Sequence, residues 1–357
     1  MGFVISKHLY LKCKFPGSLK LIVLTLSIII VNYKSAQLVL DCIASVYAQT
    51  RDIVFEIILV DNNSGDDCRP RVQQQFPEVK WLQTGYNAGF ARANNAGIRI
   101  AVGQHILLLN SDTIILDGAL NKTLLLMQND DAAGCGVQLL NTDGSHQISG
   151  AHFVKGGLNF LLPLPYLGRF IRYMGYKLKA RVPSITEVTE RTEVDWVVGA
   201  FLWVRKTAID KAGMLDEDFF MYAEEIEWCS RLRKQGKLVL YSQPKVIHIG
   251  GATSGSFYNT KEAENSKNLW NKKGRQIMLS MFVRTRKQYG VGWFLLLLGV
   301  FVADIPIFGI GLLIEKLFMG QKARYSWQNV GDYIKNVGCL LRHGVKIIAN
   351  KPHFYKV

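Results

Sequence analysis

Short apolar runs that end in polar turns recur along the first half of the chain, with helix-like stripes between them. LSIIIV (Leu26–Val31) runs into Asn32, Tyr33, Lys34 and Ser35, and FEIILV (Phe55–Val60) into Asp61, Asn62, Asn63 and Ser64. Val79–Thr84 exits at Gly85, Tyr86 and Asn87, and HILLL (His105–Leu109) at Asn110, Ser111 and Asp112. Continuous apolar runs bounded by small polar residues predict strands covered on both faces. Between them, Leu38, Cys42 and Val46 behind a Ser35 cap, and Ala91, Ala93, Ala96 and Ile98, carry the stripe of amphipathic helices. This alternation predicts an α/β fold, a Rossmann-like, mostly parallel doubly wound sheet with helices on both faces and strand exits along one edge. Open sheets of this kind bind ligands outside that edge. The acid and amide of the turn at 110–112 are therefore candidates to meet a hard cation or a phosphate, and the competing reading is an ordinary Asx turn.

Further along, Asp117–Gln128 reads as a helix and Gly134–Leu140 as a strand ending in Asn141–Ser145. From Gly150 to Thr192 the pattern loosens; Pro163, Pro165 and Pro183 among Arg169, Arg172, Lys177, Lys179 and Arg181 predict a mobile loop or lid. In VDWVVGAFLWV (Val194–Val204), Gly199 interrupts a strand-like run, which marks close approach of backbone to a ligand. Asp216–Gly236 is acidic at its start and basic at its end, as a helix dipole favours. Glu224 and Glu225 adjoin Phe219, Phe220 and Tyr222, and paired carboxylates beside apolar groups also suit a general base. Leu238–Tyr241 and Lys245–Gly251 read as two further short segments, the second placing His248 ahead of two glycines.

Composition narrows the partners. At 357 residues and 49% hydrophobic, the chain holds one large α/β domain plus an additional region and is not disordered. A net charge of +15 calls for an anionic partner. No basic-aromatic array accompanies it, which favours a nucleotide or a membrane surface over nucleic acid. The six cysteines form no C-x-x-C pair, so they read as reduced packing residues of a cytosolic chain. Lys7, Lys12, Lys14 and Lys20 before Leu21–Val31 imitate a signal peptide, but no small-residue cleavage site follows and the run serves better as a first strand.

Beyond Gly251 the chain changes character. Trp293–Ile314 reaches the ~20 residues that cross a bilayer, yet Asp304 and Pro306 interrupt it and both flanks are basic. The expectation is a re-entrant or in-plane hairpin bent at Asp304-Ile305-Pro306 with both ends cytoplasmic; the competing reading is a helix pair buried on the α/β domain. The domain boundaries follow as a basic extension at 1–25, an α/β domain at 26–255 and a helical, membrane-associating region at 256–357.

Taken together and in order, SIIIVNYKS, EIILVDNNS, NAGFARANNAGI, GQHILLLNSDTII, VVGAF, DEDFFMYAEEIEWCSRLRKQG and VIHIGG resemble family 2 glycosyltransferases, the inverting nucleotide-sugar enzymes of GT-A fold, and among them the bacterial rhamnosyltransferase-like branch. The resemblance runs from about residue 26 to residue 251. It implies a nucleotide-sugar site made of Asn32, Tyr33 and Asp61 at the base and ribose, with Asn87, Asn94 and Gly199 lining the pocket. It also implies a Mg²⁺ or Mn²⁺ site at Asp112, Asn110 and His248, and Glu225 as the catalytic base, with Glu224 beside it as the alternative. The metal motif is written N-S-D rather than D-x-D, and the base is Glu where the family usually keeps Asp. No Q-x-x-R-W motif follows, which points to transfer of a single sugar. The branch implies a dTDP-rhamnose donor, a glycan or lipid-linked acceptor of cell-surface polysaccharide, and action at the cytoplasmic face of the inner membrane. The alternatives are a catalytically inactive membrane-attached sugar-binding or scaffold protein, or a nucleotidyltransferase, although NYKS is not the Gly-rich basic loop the latter needs.

Overall fold

The computed structural model describes residues 25–153, 160–179, 182–250 and 268–357. The basic amino-terminal extension and the run rejected as a signal peptide lie, up to residue 24, outside them. The chain divides into two compact units: Met1–Ala151 with Ser184–Leu215 and Trp228–Thr253, and His152–Pro183 with Asp216–Glu227 and Ser254–Val357.

The first unit is built on β1 (Leu26–Asn32), β2 (Phe55–Asp61), β3 (Lys80–Gln83), β4 (His105–Asn110), β5 (Thr113–Ile115) and β6 (Gly134–Leu140). Later strands join the same unit: β7 (Gly150–Ala151), β8 (Ser184–Ile185), β9 (Arg191–Val194), β10 (Trp196–Val197), β11 (Phe201–Arg205) and β12 (Leu238–His248). The main sheet runs β3-β2-β1-β4-β11-β6-β12-β5 with β9 on β12, and β10-β7-β8 form a small second sheet. β1 pairs in parallel with β2 and β4, and β2 with β3; β11 then enters antiparallel between β4 and β6. The expected mostly parallel sheet is thus present, with its reversal at β11.

Alternation along the strands divides the core between two faces. Ile28, Ile30, Leu107 and Leu109 pack with α1 (Ala36–Gln49), α2 (Cys68–Gln75) and α4 (Ala119–Gln128). Ile29, Ile58, Ile106 and Leu108 pack instead with α3 (Gly89–Ile100), and the same cluster takes in the short helix Lys206–Ala212 and Trp228, Cys229 and Leu232. With both faces covered, the strands need no polar alternation, which is why they read as solid apolar runs. β12 is a single strand with an irregularity between Tyr241 and Lys245, so the two segments expected there are one element.

In the second unit, the segment expected to be a mobile loop or lid contains α5 (Pro165–Lys177), a helix with proline at its first turn. Pro165 there loses no intrahelical hydrogen bond, so what reads as a breaker is a helix start. With Lys206–Ala212 as α6, α7 follows at Glu224–Leu232, then α8 at Lys272–Met319 and α9 at Trp327–Ala349. α8 is broken at Gly290 (φ 89°, ψ −175°) and continues as helix through Pro306. The hairpin expected at Asp304-Ile305-Pro306 is therefore absent. The reversal comes after Met319, through a 3₁₀ turn at Gly320–Lys322, and α9 packs back on α8. Phe301, Phe308, Tyr333 and Val337 form the centre of this core.

Candidate active site

Four strand exits meet at one edge of the first unit. Asn32, buried at the end of β1, donates through Nδ2 to Asp61 Oδ1 (2.9 Å) and Ser64 Oγ (2.9 Å). Its Oδ1 accepts from the backbone N–H and the hydroxyl of Ser35 at 3.2 and 3.0 Å, so the amide orientation follows from its partners. Asp61 Oδ2 accepts from Ser64 N–H (3.1 Å) and Gln83 Nε2 (2.6 Å). A carboxylate offers about four acceptor positions, so Asp61 keeps capacity for one more donor, such as a nucleobase or ribose group. Asn62 ties the next exit in place: its Nδ2 donates to Asn87 Oδ1 (3.1 Å) and its Oδ1 accepts from Ala88 N–H (2.8 Å). Tyr33 stands at the rim, partly exposed, with the Lys34 ammonium 5.6 Å from its ring centre.

The Ser35 hydroxyl lies 3.2 Å from Ser111 Oγ and joins this network to the turn after β4. Asn110 N–H donates to the Ala200 carbonyl at 3.0 Å, which brings Gly199 alongside the same turn. Asp112 is only 4% exposed. Because β12 runs antiparallel to β5, His248 falls opposite Thr113, and Ile249 N–H donates to the Asp112 carbonyl (2.9 Å). That register sets His248 Nε2 3.4 Å from Asp112 Oδ1 and 3.5 Å from Asn110 Nδ2.

Gln147 fixes which ring nitrogen faces the acid. Its Nε2 donates to Asn141 Oδ1 (2.9 Å) and the His248 carbonyl (3.2 Å), leaving Oε1 to accept from His248 Nδ1 at 2.6 Å. With the proton on Nδ1, Nε2 presents its lone pair toward the Asp112 carboxylate. Two acceptors facing each other at this distance suit a shared cation, and a histidine and a carboxylate are fitting donors for Mg²⁺ or Mn²⁺; Asn110 turns Nδ2 toward the ring and would join the shell only by presenting Oδ1 instead. Among the described residues no group of three or more His, Cys, Asp and Glu surrounds a common point. Asn94 is buried one turn into α3 and donates to the Phe90 carbonyl (2.9 Å).

The two candidate bases belong to the second unit, where α7 begins. Tyr222 and Ala223 just before them hold left-handed φ angles of 71° and 66°, a strained approach for residues other than glycine. Ser280 Oγ donates to the Met221 carbonyl (2.7 Å) and secures that bend. Glu224 and Glu225 each bury an Oε2 that lacks a hydrogen-bond partner. Burial raises both carboxyls above the usual glutamate range; Glu225 adds to the rise of Glu224, while the Arg284 guanidinium opposes that of Glu225. Arg284 is itself buried between the rings of Phe153 and Phe160, 5.1 and 5.5 Å from their centres. Its Nε donates to Gln288 Oε1 (2.8 Å), and one terminal nitrogen, Nη2, is uncommitted.

Sequence reasoning passed over Asn62, Gln147 and Arg284. Asn62 stands inside the quoted motif EIILVDNNS, whereas nothing local distinguishes the other two.

The model described as Glycosyl transferase family 2 matches residues 27–183. The chain is 28% identical over 219 residues to the low-salt glycan biosynthesis hexosyltransferase of Haloferax volcanii, covering 59% of this chain and 62% of that one. It is 28% identical over 215 residues to the N-acetylglucosaminyl-diphospho-decaprenol L-rhamnosyltransferase of Mycobacterium tuberculosis, covering 56% of this chain and 68% of that one. The alignment thus spans less than two thirds of the Haloferax relative. Among solved structures, GalNAc-T7 with UDP, GalNAc and Mn²⁺ superposes with a TM-score of 0.48 at 14% identity, over 74% of this chain and 50% of that one.

Proposed function

We propose that the chain, whose residues 27–183 match the glycosyltransferase family 2 model and which is similar to a rhamnosyltransferase, moves a single sugar from a nucleotide-diphosphate donor to an acceptor hydroxyl with inversion. The observation that carries the reading is the meeting of Asp112 and His248 beside the exit of β4, with Asn110 in reach. Asp61 and Asn32 receive the nucleoside, Asn87 and Asn94 line the diphosphate side, and the backbone at Gly199 comes close to the ligand. Asp112, His248 and Asn110 would hold a divalent cation. When bound, Mg²⁺ or Mn²⁺ supplies Lewis-acid neutralisation of the departing diphosphate.

Glu225 takes the proton of the acceptor hydroxyl as its oxygen bonds to the anomeric carbon, and the bond from that carbon to the diphosphate oxygen breaks. One displacement leaves the product with the anomeric configuration opposite to the donor's. Glu224 is the alternative base, and its like charge makes its neighbour more basic when both are ionised. The donor this branch favours is dTDP-rhamnose. The Mycobacterium relative is named for a lipid-diphosphate sugar, which supports a lipid-linked acceptor of cell-surface polysaccharide and work at the cytoplasmic face of the membrane.

The test is a nucleotide-sugar panel with Mn²⁺, scored by thermal shift and then by turnover. Glu225→Gln is expected to keep the donor-dependent shift and lose transfer by about 10²-fold or more. Unchanged turnover would remove Glu225 from the chemistry, and no shift with any nucleotide sugar would overturn the reading as a whole.

A further inference from the structure

The second unit turns an unbroken apolar face outward. Every exposed residue of α8 between Gly292 and Ile314 is apolar, with Trp293, Leu296, Ile307, Ile310 and Leu313 each 45–59% exposed. The one acid in that stretch, Asp304, is turned inward and only 1% exposed. α9 adds a second stripe. Its exposed apolar residues Trp327, Ile334, Leu341 and Val345 recur at intervals that place them within about 40° of one another on a helical wheel. Exposed Lys335, Arg342 and Lys346 follow three of them directly, forming a basic stripe alongside. α5 repeats the chemistry, exposing Phe170, Tyr173, Met174 and Tyr176 among Arg169, Arg172 and Lys177, with no acid in the helix.

We infer that α5, the second half of α8 and α9 form one docking surface for an anionic bilayer, with α8 lying in the membrane plane rather than crossing it. Aliphatic and aromatic groups enter the headgroup boundary while neighbouring Lys and Arg meet lipid phosphates, the pattern of interfacial helices. Two features choose this occupant. A second copy presented face to face would bring the same basic stripes together, whereas anionic lipid complements them. A crossing α8 would also draw α9, packed along it, into hydrocarbon with Lys335 and Arg342 on its exposed arc. The inference deepens the membrane part of the proposed function and concerns none of the residues assigned to catalysis.

The full chain is tested by co-sedimentation with vesicles of phosphatidylcholine alone and of phosphatidylcholine mixed with phosphatidylglycerol in equal parts. Binding is expected to the mixed vesicles and to be far weaker to the neutral ones. The triple variant K335Q/R342Q/K346Q should lose about a hundredfold in affinity for the mixed vesicles. Leu296→Glu with Leu313→Glu, on the exposed face, should abolish binding while circular dichroism stays unchanged. Equal binding to both compositions, or a dimer in light scattering that ignores vesicles, would overturn the proposal. Sugar transfer to a water-soluble acceptor should survive in the triple variant, so a failed enzyme reading and a failed docking surface give different results.

Discussion

His248 Nε2 and Asp112 Oδ1 face each other at 3.4 Å because β12 lies against β5 in a register that sets His248 opposite Thr113. Neither residue is placed by its own neighbours in sequence. Removing either donor should have the same consequence: Asp112→Asn and His248→Ala are each expected to lower kcat/KM by about 10²–10³-fold and to raise the Mn²⁺ concentration needed for half-maximal rate. Gln147→Leu leaves both donors in place but frees the imidazole to change tautomer and turn. It should weaken the metal response by about tenfold to a hundredfold. A Mn²⁺ titration of the three variants checks this; an unchanged half-maximal concentration in Gln147→Leu would show that the ring is held without it.

The pH dependence turns on Arg284. Burial holds Glu225 above the ordinary glutamate value, and the guanidinium favours its ionised form. A base must be ionised to accept a proton, so kcat/KM should climb with pH through that raised value. Arg284→Gln removes the opposing charge and should move the acidic limb upward. Arg284→Lys, which restores the charge, should bring it back. The stability term has the opposite sense: a carboxyl whose folded pKa is raised favours the fold at low pH, and that contribution is lost as pH rises through the folded value. A pH–rate profile that does not move in Arg284→Gln would separate this residue from the base.

The strands β1, β2, β4 and β6 were legible because each is buried on both faces and therefore apolar throughout. α2 was not, since CRPRVQQQ buries only Cys68 and Val72 and two apolar residues make no stripe. α5 was hidden by Pro163 and Pro165, residues that break a helix in its middle and begin one at its end. The sequence pattern also set Asp61, Asp112 and His248 at the ends of apolar runs, and the structure has them at or just beyond the ends of β2, β4 and β12. Gln147 acquires its role only from pairing between distant strands, and Arg284 from rings on either side of it, Phe153 and Phe160, that lie more than a hundred positions upstream. Local periodicity carries no record of such encounters.

Lys287 joins three segments of the second unit. Its ammonium lies 2.5 Å from Asp216 Oδ2 and 2.7 Å from Asp218 Oδ2. Asp218 also accepts from His353 N–H (2.9 Å) through its side chain and from Tyr355 N–H (3.0 Å) through its carbonyl. Lys287→Met would leave two poorly exposed carboxylates without their cation and loosen the carboxyl-terminal segment held by Asp218. The expected loss is about 2 kcal/mol of unfolding free energy. Urea denaturation checks it, and a change within experimental scatter would show that solvent replaces the ammonium without penalty.

Gly290 permits the break in α8 by a backbone conformation open only to glycine. At φ 89° and ψ −175° it lies in a region that L side chains avoid, yet a Cβ built there meets nothing within 4 Å. Any effect of Gly290→Ala is therefore a backbone effect, expected to destabilise by about 1–3 kcal/mol. Gly299 provides the internal contrast. It lies within the same helix, and its added Cβ also meets nothing within 4 Å. There, alanine should stabilise by about 0.5–1 kcal/mol through its higher helix propensity. The break also lets Phe282 of the first half meet Phe294 and Phe301 of the second, with ring centres 5.5 and 5.1 Å away. Straightening the helix would pull those rings apart, so near-ultraviolet circular dichroism should change in Gly290→Ala and not in Gly299→Ala. Thermal shifts of the same sign in the two variants would sink the assignment of the break to Gly290.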